Sequence, residues 1–276
     1  MAITASTTDE LLVSQEGHVL VLTLNRPEVL NAINGPMLAE LTAKLKEANR
    51  DPEVRCVILT GSGRGFCSGL DLKQQQSRVE GTGSAGSSGV NESPRYMLFD
   101  LENNPINTLW SMDKPVIAAV NGAAAGYGMD MTLLCDIRIM ADNAKLAAVV
   151  VKRNVVPESG GTWLLPRLVG WGKAAEIFYR GRTLGAEECE KLSLCNAVVP
   201  AADLMKTAME WAQDIAGNAP AAVQTTKRMM RLGQNETFEA TVDHLMVHLK
   251  GLFAMDDFKE AIRAFNERRP AKFTGR

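Results

Sequence analysis

The stretch Asn121-Gly-Ala-Ala-Ala-Gly-Tyr-Gly-Met-Asp130 decides the fold, together with Gly65-Phe-Cys-Ser-Gly-Leu-Asp71. Each follows a short apolar segment typical of a buried strand, Val54–Leu59 in one case and Pro115–Val120 in the other. Glycine permits sharp turns and the close approach of another group to the backbone. The first stretch continues into Met129–Cys135, which predicts a buried helix. Two such turns side by side can direct two backbone N–H groups at one developing oxyanion.

The rest of the first 200 residues alternates between strand and helix patterns. His18–Leu24 is rich in β-branched and aliphatic residues and predicts a strand. Pro36 opens a helix with apolar residues at three- and four-residue steps, which Asp51-Pro52 ends. Because the alternation continues through Ile137–Met140, we predict an α/β architecture.

The last quarter of the chain has a helical pattern. It predicts helices near Ala221–Arg231, Phe238–Ala254 and Phe258–Glu267, after a first helix that begins near Ala201. We therefore divide the chain into a core, residues 1–200, and a helical C-terminal region, residues 201–276. Gly81–Gly89 is a low-complexity segment that cannot bury much apolar surface, so we expect a loop there.

Composition and charge argue against several classes of protein. The 276 residues include 30 basic and 32 acidic ones, and the net charge of −2 does not favour nucleic acid or a membrane surface as partner. No apolar run approaches the ~20 residues of a membrane span. The segment Met1–Glu10 lacks the basic start and apolar run of a signal peptide. Five scattered cysteines without a CxxC pair favour a reduced, cytoplasmic compartment.

Metals and nucleotide cofactors are not predicted either. His244 and His248 lie one helical turn apart, but the sequence offers no evident third ligand. Neither glycine-rich stretch has the G-x-G-x-x-G or P-loop pattern, because Phe66 interrupts the first and no Gly-Lys-Ser/Thr follows. We expect no metal, NAD or ATP.

Several motifs, taken together in their order and spacing, resemble one family. Besides the two glycine-rich stretches they are Asn25-Arg-Pro27 followed by Asn31-Ala32, Cys135-Asp-Ile-Arg138 and Pro157-Glu-Ser-Gly-Gly161. The chain is similar to the crotonases, the enoyl-CoA hydratase/isomerase superfamily, from about Val19 to Phe273. The resemblance implies a spiral of ββα units with a C-terminal helical region that builds homotrimers or hexamers.

The resemblance also implies a substrate and the groups that hold it. The substrate would be an acyl-CoA thioester, with coenzyme A as part of the substrate and no separate cofactor. Its carbonyl oxygen would accept hydrogen bonds from the backbone N–H groups of Leu70 and Tyr127, where Tyr127 occupies a position that is usually glycine in hydratases. The tyrosine ring would either narrow the acyl pocket or turn into the core. The positions that match CoA-binding residues of the family are Arg26, Lys73, Phe265 and Lys272.

The sequence departs from the hydratase pattern at the proton-transfer groups. The two hydratase glutamates map onto Asp130 and Val150, and valine cannot exchange a proton. Glu158 is the replacement candidate, since several isomerases of the superfamily have an acidic residue at this place. We expect Ser159-Gly160-Gly161 to cap the helix that follows. Asp130 is either a second acid or a structural residue, and Asp71 and Asp136 are predicted to tie down backbone groups.

We therefore predict an acyl-CoA-processing enzyme that moves an enoyl-CoA double bond, with Glu158 as the proton carrier. The near alternative is an enoyl-CoA hydratase or dehydratase that uses Asp130 and Glu158 as a non-standard pair. Hydrolysis or C–C cleavage is a further alternative, because one oxyanion hole serves many reactions. The alternatives of another class are a catalytically silent acyl-CoA-binding protein and a structural assembly protein.

Overall fold

The computed structural model describes residues 3–71 and 104–276. Lys73 and the predicted loop Gly81–Gly89 lie outside the described residues. The strands in the described ranges are β1 (Leu11–Glu16), β2 (Val19–Leu24), β3 (Cys56–Gly61), β4 (Gly65–Cys67), β5 (Val116–Val120), β6 (Ala123–Ala125), β7 (Ile137–Ala141), β8 (Lys145–Ala147), β9 (Thr183–Gly185) and β10 (Ala197–Val199).

The helices alternate with these strands and then continue alone. They are α1 (Gly35–Arg50), α2 (Pro105–Ser111), α3 (Tyr127–Leu134), α4 (Gly161–Val169), α5 (Trp171–Tyr179), α6 (Ala186–Lys191), α7 (Leu204–Ala216), α8 (Pro220–Leu232), α9 (Phe238–Ala254) and α10 (Asp256–Glu267). Short 3-10 turns precede some of them, including Val149–Arg153 before α4.

The strands form two sheets, and from β3 to β8 successive strands along the chain alternate between them. The larger sheet has the order β1-β2-β3-β5-β7-β10, and the smaller has the order β4-β6-β8-β9. The strands from β2 to β7 in the large sheet are parallel, as are β4, β6 and β8 in the small one. Each of the pairs β3/β4, β5/β6 and β7/β8 thus adds one strand to each sheet. This repetition is the spiral that the sequence predicted.

The core lies on and between these sheets. The strands β3 and β5 are buried along almost their whole length, as expected of parallel strands covered on both faces. The helix α1 packs on the sheet through Met37, Leu41 and Leu45, which are fully buried. Its N-terminus is capped by Asn34, whose side chain accepts the N–H of Met37 at 2.9 Å. The predicted helix after Pro36 is confirmed.

The C-terminal region is helical, as predicted, but its helices differ in burial. The helix α7 buries Leu204, Ala208 and Ala212 and lies against the strands of the large sheet. The chain leaves the sheet only from α8 onward. The helix α9 has no buried residue. Large apolar side chains stay exposed along α8 to α10, namely Met230, Phe238, Met246, Val247, Phe253, Ile262 and Phe265.

Candidate active site

The first of the two predicted backbone donors, the N–H of Leu70, lies just after β4. Ile33 donates its N–H to the Gly69 carbonyl at 2.8 Å, and the Asp71 N–H donates to the Ile33 carbonyl at 2.9 Å. A trans peptide places its N–H opposite its C=O. The Leu70 N–H therefore points away from Ile33, toward the side of the chain where α3 begins.

The second donor is the N–H of Tyr127, the first residue of α3. Gly126 precedes it with φ 53°, a left-handed conformation that favours glycine. The N–H groups of a first helical turn have no partner inside the helix. A Cβ built on Gly69 would lie 3.8 Å from the Tyr127 nitrogen. The structure thus brings the turns of Leu70 and Tyr127 side by side, with the positive end of the α3 dipole between them.

Close backbone packing holds these two turns together. A Cβ on Gly128 would lie 2.3 Å from the Cys67 carbonyl oxygen, which is closer than any real side chain stands. Only glycine fits there. At the far end of α3, the buried Arg138 guanidinium donates to the carbonyls of Thr132 and Cys135, at 3.2 and 2.6 Å. The helix is therefore fixed at both ends.

Two asparagines, the buried Asn31 and the partly buried Asn121, hold the loops around these turns, and no role was predicted for them from the sequence. The Asn31 amide donates to the carbonyls of Ser62 and Gly65, at 2.9 and 2.8 Å. Asn121 accepts the N–H of Gly61 at 3.2 Å and donates to Gly65 at 3.1 Å. Both side chains satisfy backbone groups that a tight turn leaves unpaired. The sequence pattern that could have identified them is an Asn next to a glycine-rich turn. This pattern is too common to indicate a role by itself.

The two aspartates predicted to be structural make internal contacts. The Asp136 carboxylate accepts the N–H of Val116 at 2.8 Å, which confirms its predicted role. Asp71 instead pairs with the Arg26 guanidinium at 3.0 Å. Arg26 also donates to the Ala32 carbonyl at 2.6 Å. Arg26 therefore braces the loop before α1, and its predicted contact with CoA stays a prediction.

The side chain of Tyr127 turns into the core, one of the two orientations that the sequence left open. It is only 4% exposed. Its hydroxyl donates to the Asn104 side chain at 3.0 Å, and Asn104 in turn caps α2. Burial, with the nearby Cys67, Glu158 and Asp130, raises the pKa of the phenol well above its usual value. The ring is a tether between the donor turn and α2.

Asp130 lies one turn into α3 and is 3% exposed. Its carboxylate accepts the N–H of Ser159 at 3.2 Å and lies against Gly161. Burial raises its pKa to about 7, and the charge of Glu158 acts in the same direction, while the backbone N–H groups of Ser159 and Gly161 oppose the rise. Asp130 and Glu158 therefore belong to one electrostatic unit.

Glu158 lies in the loop between the 3-10 turn and α4. Its side chain is half-buried, and burial raises its pKa. The atom Oε2 is buried and has no hydrogen-bond partner among the described residues. A buried carboxylate oxygen without a partner costs free energy. It is therefore a natural acceptor for a group on a bound molecule.

Val150 and Trp163 lie on the elements that flank Glu158 along the chain. Val150, at the position of a hydratase glutamate, lies close to Gly126, with 3.0 Å from its Cγ1 to a Cβ built there. Trp163 of α4 packs edge-on against Trp110 of α2, with 4.9 Å between ring centroids. Burial of the carboxyl is the main cause of the raised pKa of Glu158.

One local prediction is wrong. The segment Ser159-Gly160-Gly161 does not cap α4 with its own side chains. Gly160 is the N-cap residue and has no side chain, and no side-chain cap bond is made from that position. The Ser159 N–H is directed at Asp130 instead. A cap from elsewhere in the fold cannot be seen in the local pattern.

The remaining predicted CoA-binding residues lie in the C-terminal region. Phe265 on α10 is 82% exposed. Lys272, in the segment after α10, is exposed, and its backbone N–H donates to Glu260. Within the described residues there is no cluster of three or more His, Cys, Asp or Glu side chains that could hold a metal ion, and no helix long and apolar enough to cross a membrane.

Comparison with known proteins agrees with this geometry. The family model described as enoyl-CoA hydratase/isomerase matches residues 14–276. The chain belongs to the enoyl-CoA hydratase/isomerase family. The predicted crotonase fold is confirmed by the crystal structure of an enoyl-CoA hydratase from Bacillus anthracis, with a TM-score of 0.86 and 32% identity over 97% of this chain and 100% of that one.

Relatives of this family member include both isomerases and hydratases. The 1,2-epoxyphenylacetyl-CoA isomerase of Escherichia coli is 36% identical, over 95% of this chain and 97% of that protein. The short-chain-enoyl-CoA hydratase of Clostridium acetobutylicum is 35% identical, over 95% of this chain and 96% of that protein. The family and the enoyl-CoA chemistry are thereby established, and the reaction of this member has to be argued from its site.

Proposed function

We propose that this protein is an enoyl-CoA isomerase in which Glu158 carries the proton. The thioester oxygen would accept hydrogen bonds from the N–H groups of Leu70 and Tyr127. Glu158 would take a proton from C2 of a 3-enoyl-CoA, and the C2–H electrons would pass into the dienolate. The same carboxyl would return the proton to C4, which leaves a double bond between C2 and C3. No water, electron or further reactant is needed.

The observation that carries this proposal is the buried Oε2 of Glu158, which has no hydrogen-bond partner among the described residues. A general base must have a free oxygen within reach of the substrate and a pKa near the working pH. Burial raises the pKa of Glu158. An oxygen to which residues 3–71 and 104–276 donate no hydrogen bond is available to a substrate C–H. One carboxylate is enough for double-bond migration, so Val150 at the position of the hydratase glutamate does not impede it.

The relatives support this choice in part. The isomerase from Escherichia coli acts on an aryl-acyl-CoA, as its name states. The existence of this relative supports an isomerase reaction at a site of this fold. The oxyanion donors supply the remaining stabilisation, and loss of one such donor costs ~2.7–4 kcal/mol in transition-state free energy.

A second candidate function is hydration of 2-enoyl-CoA by Asp130 and Glu158 together. One observation favours it: burial raises the pKa of Asp130 to about 7, with a contribution from Glu158, so the pair can exchange a proton near neutral pH. Hydration needs two such groups, one for the water and one for C2. The hydratase from Clostridium acetobutylicum shows that this reaction occurs among relatives.

We also propose a homotrimeric or hexameric assembly in the cytoplasm. The support is the exposed apolar surface of α8 to α10, since such surfaces mark contacts with other chains. Phe265 and Lys272 on this region would approach the CoA of a neighbouring subunit, while Arg26 and Lys73 would lie near the CoA of their own. No cofactor beyond coenzyme A in the substrate is proposed.

The test compares wild type with Glu158→Gln on 2-enoyl-CoA and 3-enoyl-CoA of several chain lengths. Ultraviolet absorbance follows the conjugated thioester, and mass spectrometry detects added water. We expect a double-bond shift without a mass change, slowed ~100- to 10,000-fold in the variant, the usual contribution of a general base. The matched control is Glu187→Gln, an exposed α6 residue, which should retain full activity.

Two outcomes would contradict the proposal. Addition of water that survives Glu158→Gln would move the acid to Asp130. Binding of CoA thioesters by wild type without turnover of any of them would indicate the catalytically silent binder.

A further inference from the structure

The helix α4 follows directly on Glu158 and lacks a cap of its own. Its N-cap residue is Gly160, at φ 93° and without a side-chain hydrogen bond. The N–H groups of the first helical turn need acceptors, and a capping side chain usually supplies one of them. A glycine in the left-handed region has no side chain to hold the turn in one conformation. The loop that bears Glu158 is therefore not fixed from within.

Asp130 supports this helix start from a different helix. Its carboxylate accepts the N–H of Ser159 at 3.2 Å. The carboxylate also lies against Gly161, the first residue of α4, where a Cβ would stand 2.2 Å from Asp130 Oδ1 and find no free space. A buried carboxylate also interacts favourably with the positive end of the α4 dipole. These two contacts bracket Gly160 and lie next to Glu158 on the chain.

We propose that Asp130 is a positioning residue, the cap of α4, and that it fixes the loop from which Glu158 reaches the substrate. This inference rests on the proposed function of Glu158. It assigns different roles to the two carboxylates. The Asp130 carboxylate accepts the Ser159 N–H and packs against Gly161, whereas Glu158 Oε2 has no partner among the described residues.

The proposal has a geometric consequence for the whole site. Tyr127, which bears an oxyanion donor, and Asp130 lie three residues apart on α3. The helix is fixed at one end by the contact of Gly128 with Cys67 and at the other by Arg138. The donor that holds the thioester oxygen and the cap that holds the base thus belong to one rigid element. A displacement near 1 Å between such groups costs ~100-fold in rate.

The first arm of the test needs no substrate. Hydrogen–deuterium exchange of the full-length protein is measured over the peptides that contain residues 157–165, for wild type, Asp130→Ala, Asp130→Asn and Glu158→Gln. We expect roughly tenfold faster exchange at Ser159 in Asp130→Ala, because the hydrogen bond of its N–H is lost. Asp130→Asn keeps one oxygen acceptor and should be intermediate. Glu158→Gln should exchange like wild type.

The second arm measures kcat, KM and the pH profile of double-bond migration. We expect kcat to fall ~100-fold in Asp130→Ala and about fivefold in Asp130→Asn, with KM little changed and the form of the pH profile retained. The exposed Asp256→Asn is the control. A second acid would behave differently, since Asp130→Asn would then be as inactive as Asp130→Ala and would lose one limb of the pH profile.

The outcomes separate this proposal from the proposed function. Unchanged exchange at residues 157–165 in Asp130→Asn overturns the cap, whatever the kinetics. Equal loss of kcat in both variants with the loss of a pH limb overturns it too, in favour of a second acid. If wild type moves no double bond, the proposed function fails, while the exchange arm still decides the cap. If Asp130→Ala does not fold, the exchange of Asp130→Asn decides alone.

Discussion

The core and the C-terminal helices of this protein solve the burial of apolar side chains in opposite ways. Phe66, next to the Leu70 donor, is completely buried, whereas Phe265 on α10 is 82% exposed. The strands β3 and β5 hide their apolar residues inside one chain, and α9 buries none. The core therefore has enough buried contacts to position a site by itself. The outer helices expose an apolar surface, which we propose to contact further copies of the chain.

The largest effect that separates the two regions should come from truncating one phenylalanine in each. We expect Phe66→Ala to lower the free energy of unfolding by ~3–5 kcal/mol, because it leaves a cavity in a closed core. Phe265→Ala removes an exposed side chain and should change the stability of a protomer by less than ~0.5 kcal/mol. Urea denaturation at low protein concentration measures the first quantity.

The same pair of variants also tests the assembly. Light scattering after gel filtration should show a smaller mass at a given concentration for Phe265→Ala than for wild type. Equal destabilisation of both variants, with the mass unchanged, would break the comparison between core and outer helices.

A glycine pair gives the next largest effect. Gly128→Ala places a Cβ 2.3 Å from the Cys67 carbonyl oxygen, whereas Gly172 on α5 has nothing within 4 Å of its Cβ position. We expect Gly128→Ala to cost ~1–3 kcal/mol in stability and to displace the Tyr127 donor, with loss of most activity. Gly172→Ala should be neutral or more stable by ~0.5–1 kcal/mol. Thermal denaturation and turnover measure both, and an active, stable Gly128→Ala would contradict the packing argument.

The smallest expected difference between the core and the outer helices is in how a carboxylate of each changes the stability with pH. Burial raises the pKa of Asp130 from 3.8 to about 7, so the folded state keeps a proton that the unfolded chain releases. Its contribution to stability therefore falls as the pH rises from about 4 to about 7. Glu158 is the titratable group that acts on it. Relative to wild type, Asp130→Asn should become more stable as the pH is raised from 5 to 8.

For a carboxylate of the outer helices, the contribution to stability changes with pH in the opposite direction. The Arg269 guanidinium lowers the pKa of Glu260 on α10 to about 2, so its stabilising contribution is present above its ordinary pKa and is lost as the pH falls toward 2. Denaturation of Glu260→Gln over the pH range 2–6 checks this sign. If the Asp130 and Glu260 contributions to the free energy of unfolding changed with pH in the same direction, burial would not control the titration of Asp130.

The sequence predicted the long elements because their patterns are local. The helix Phe238–Ala254 has the predicted bounds, and the strand Val116–Val120 begins one residue after the start of the predicted segment Pro115–Val120. The strands β4, β6, β8 and β9 have only three residues each, too few to show a period of two. Their pairing depends on neighbours from other turns of the spiral.

The candidate site was predicted unevenly for the same reason. The glycine-rich stretches predicted two adjacent turns, the resemblance implied Leu70 and Tyr127 as donors, and the structure brings these two turns side by side. The cap of α4 could not be read from the sequence, because Asp130 and Ser159 lie 29 residues apart. The orientation of the Tyr127 ring likewise depends on Asn104, a distant residue.

In the proposed mechanism a single carboxylate, Glu158, moves the proton from C2 to C4. The most direct measurement uses 3-enoyl-CoA deuterated at C2 and mass spectrometry of the 2-enoyl product in ordinary water, over a single turnover. One shielded carboxyl that takes and returns the same hydrogen predicts deuterium at C4 in part of the product, and no product with Glu158→Gln. Complete loss of the transferred deuterium to solvent, with activity retained in Glu158→Gln, would contradict the account.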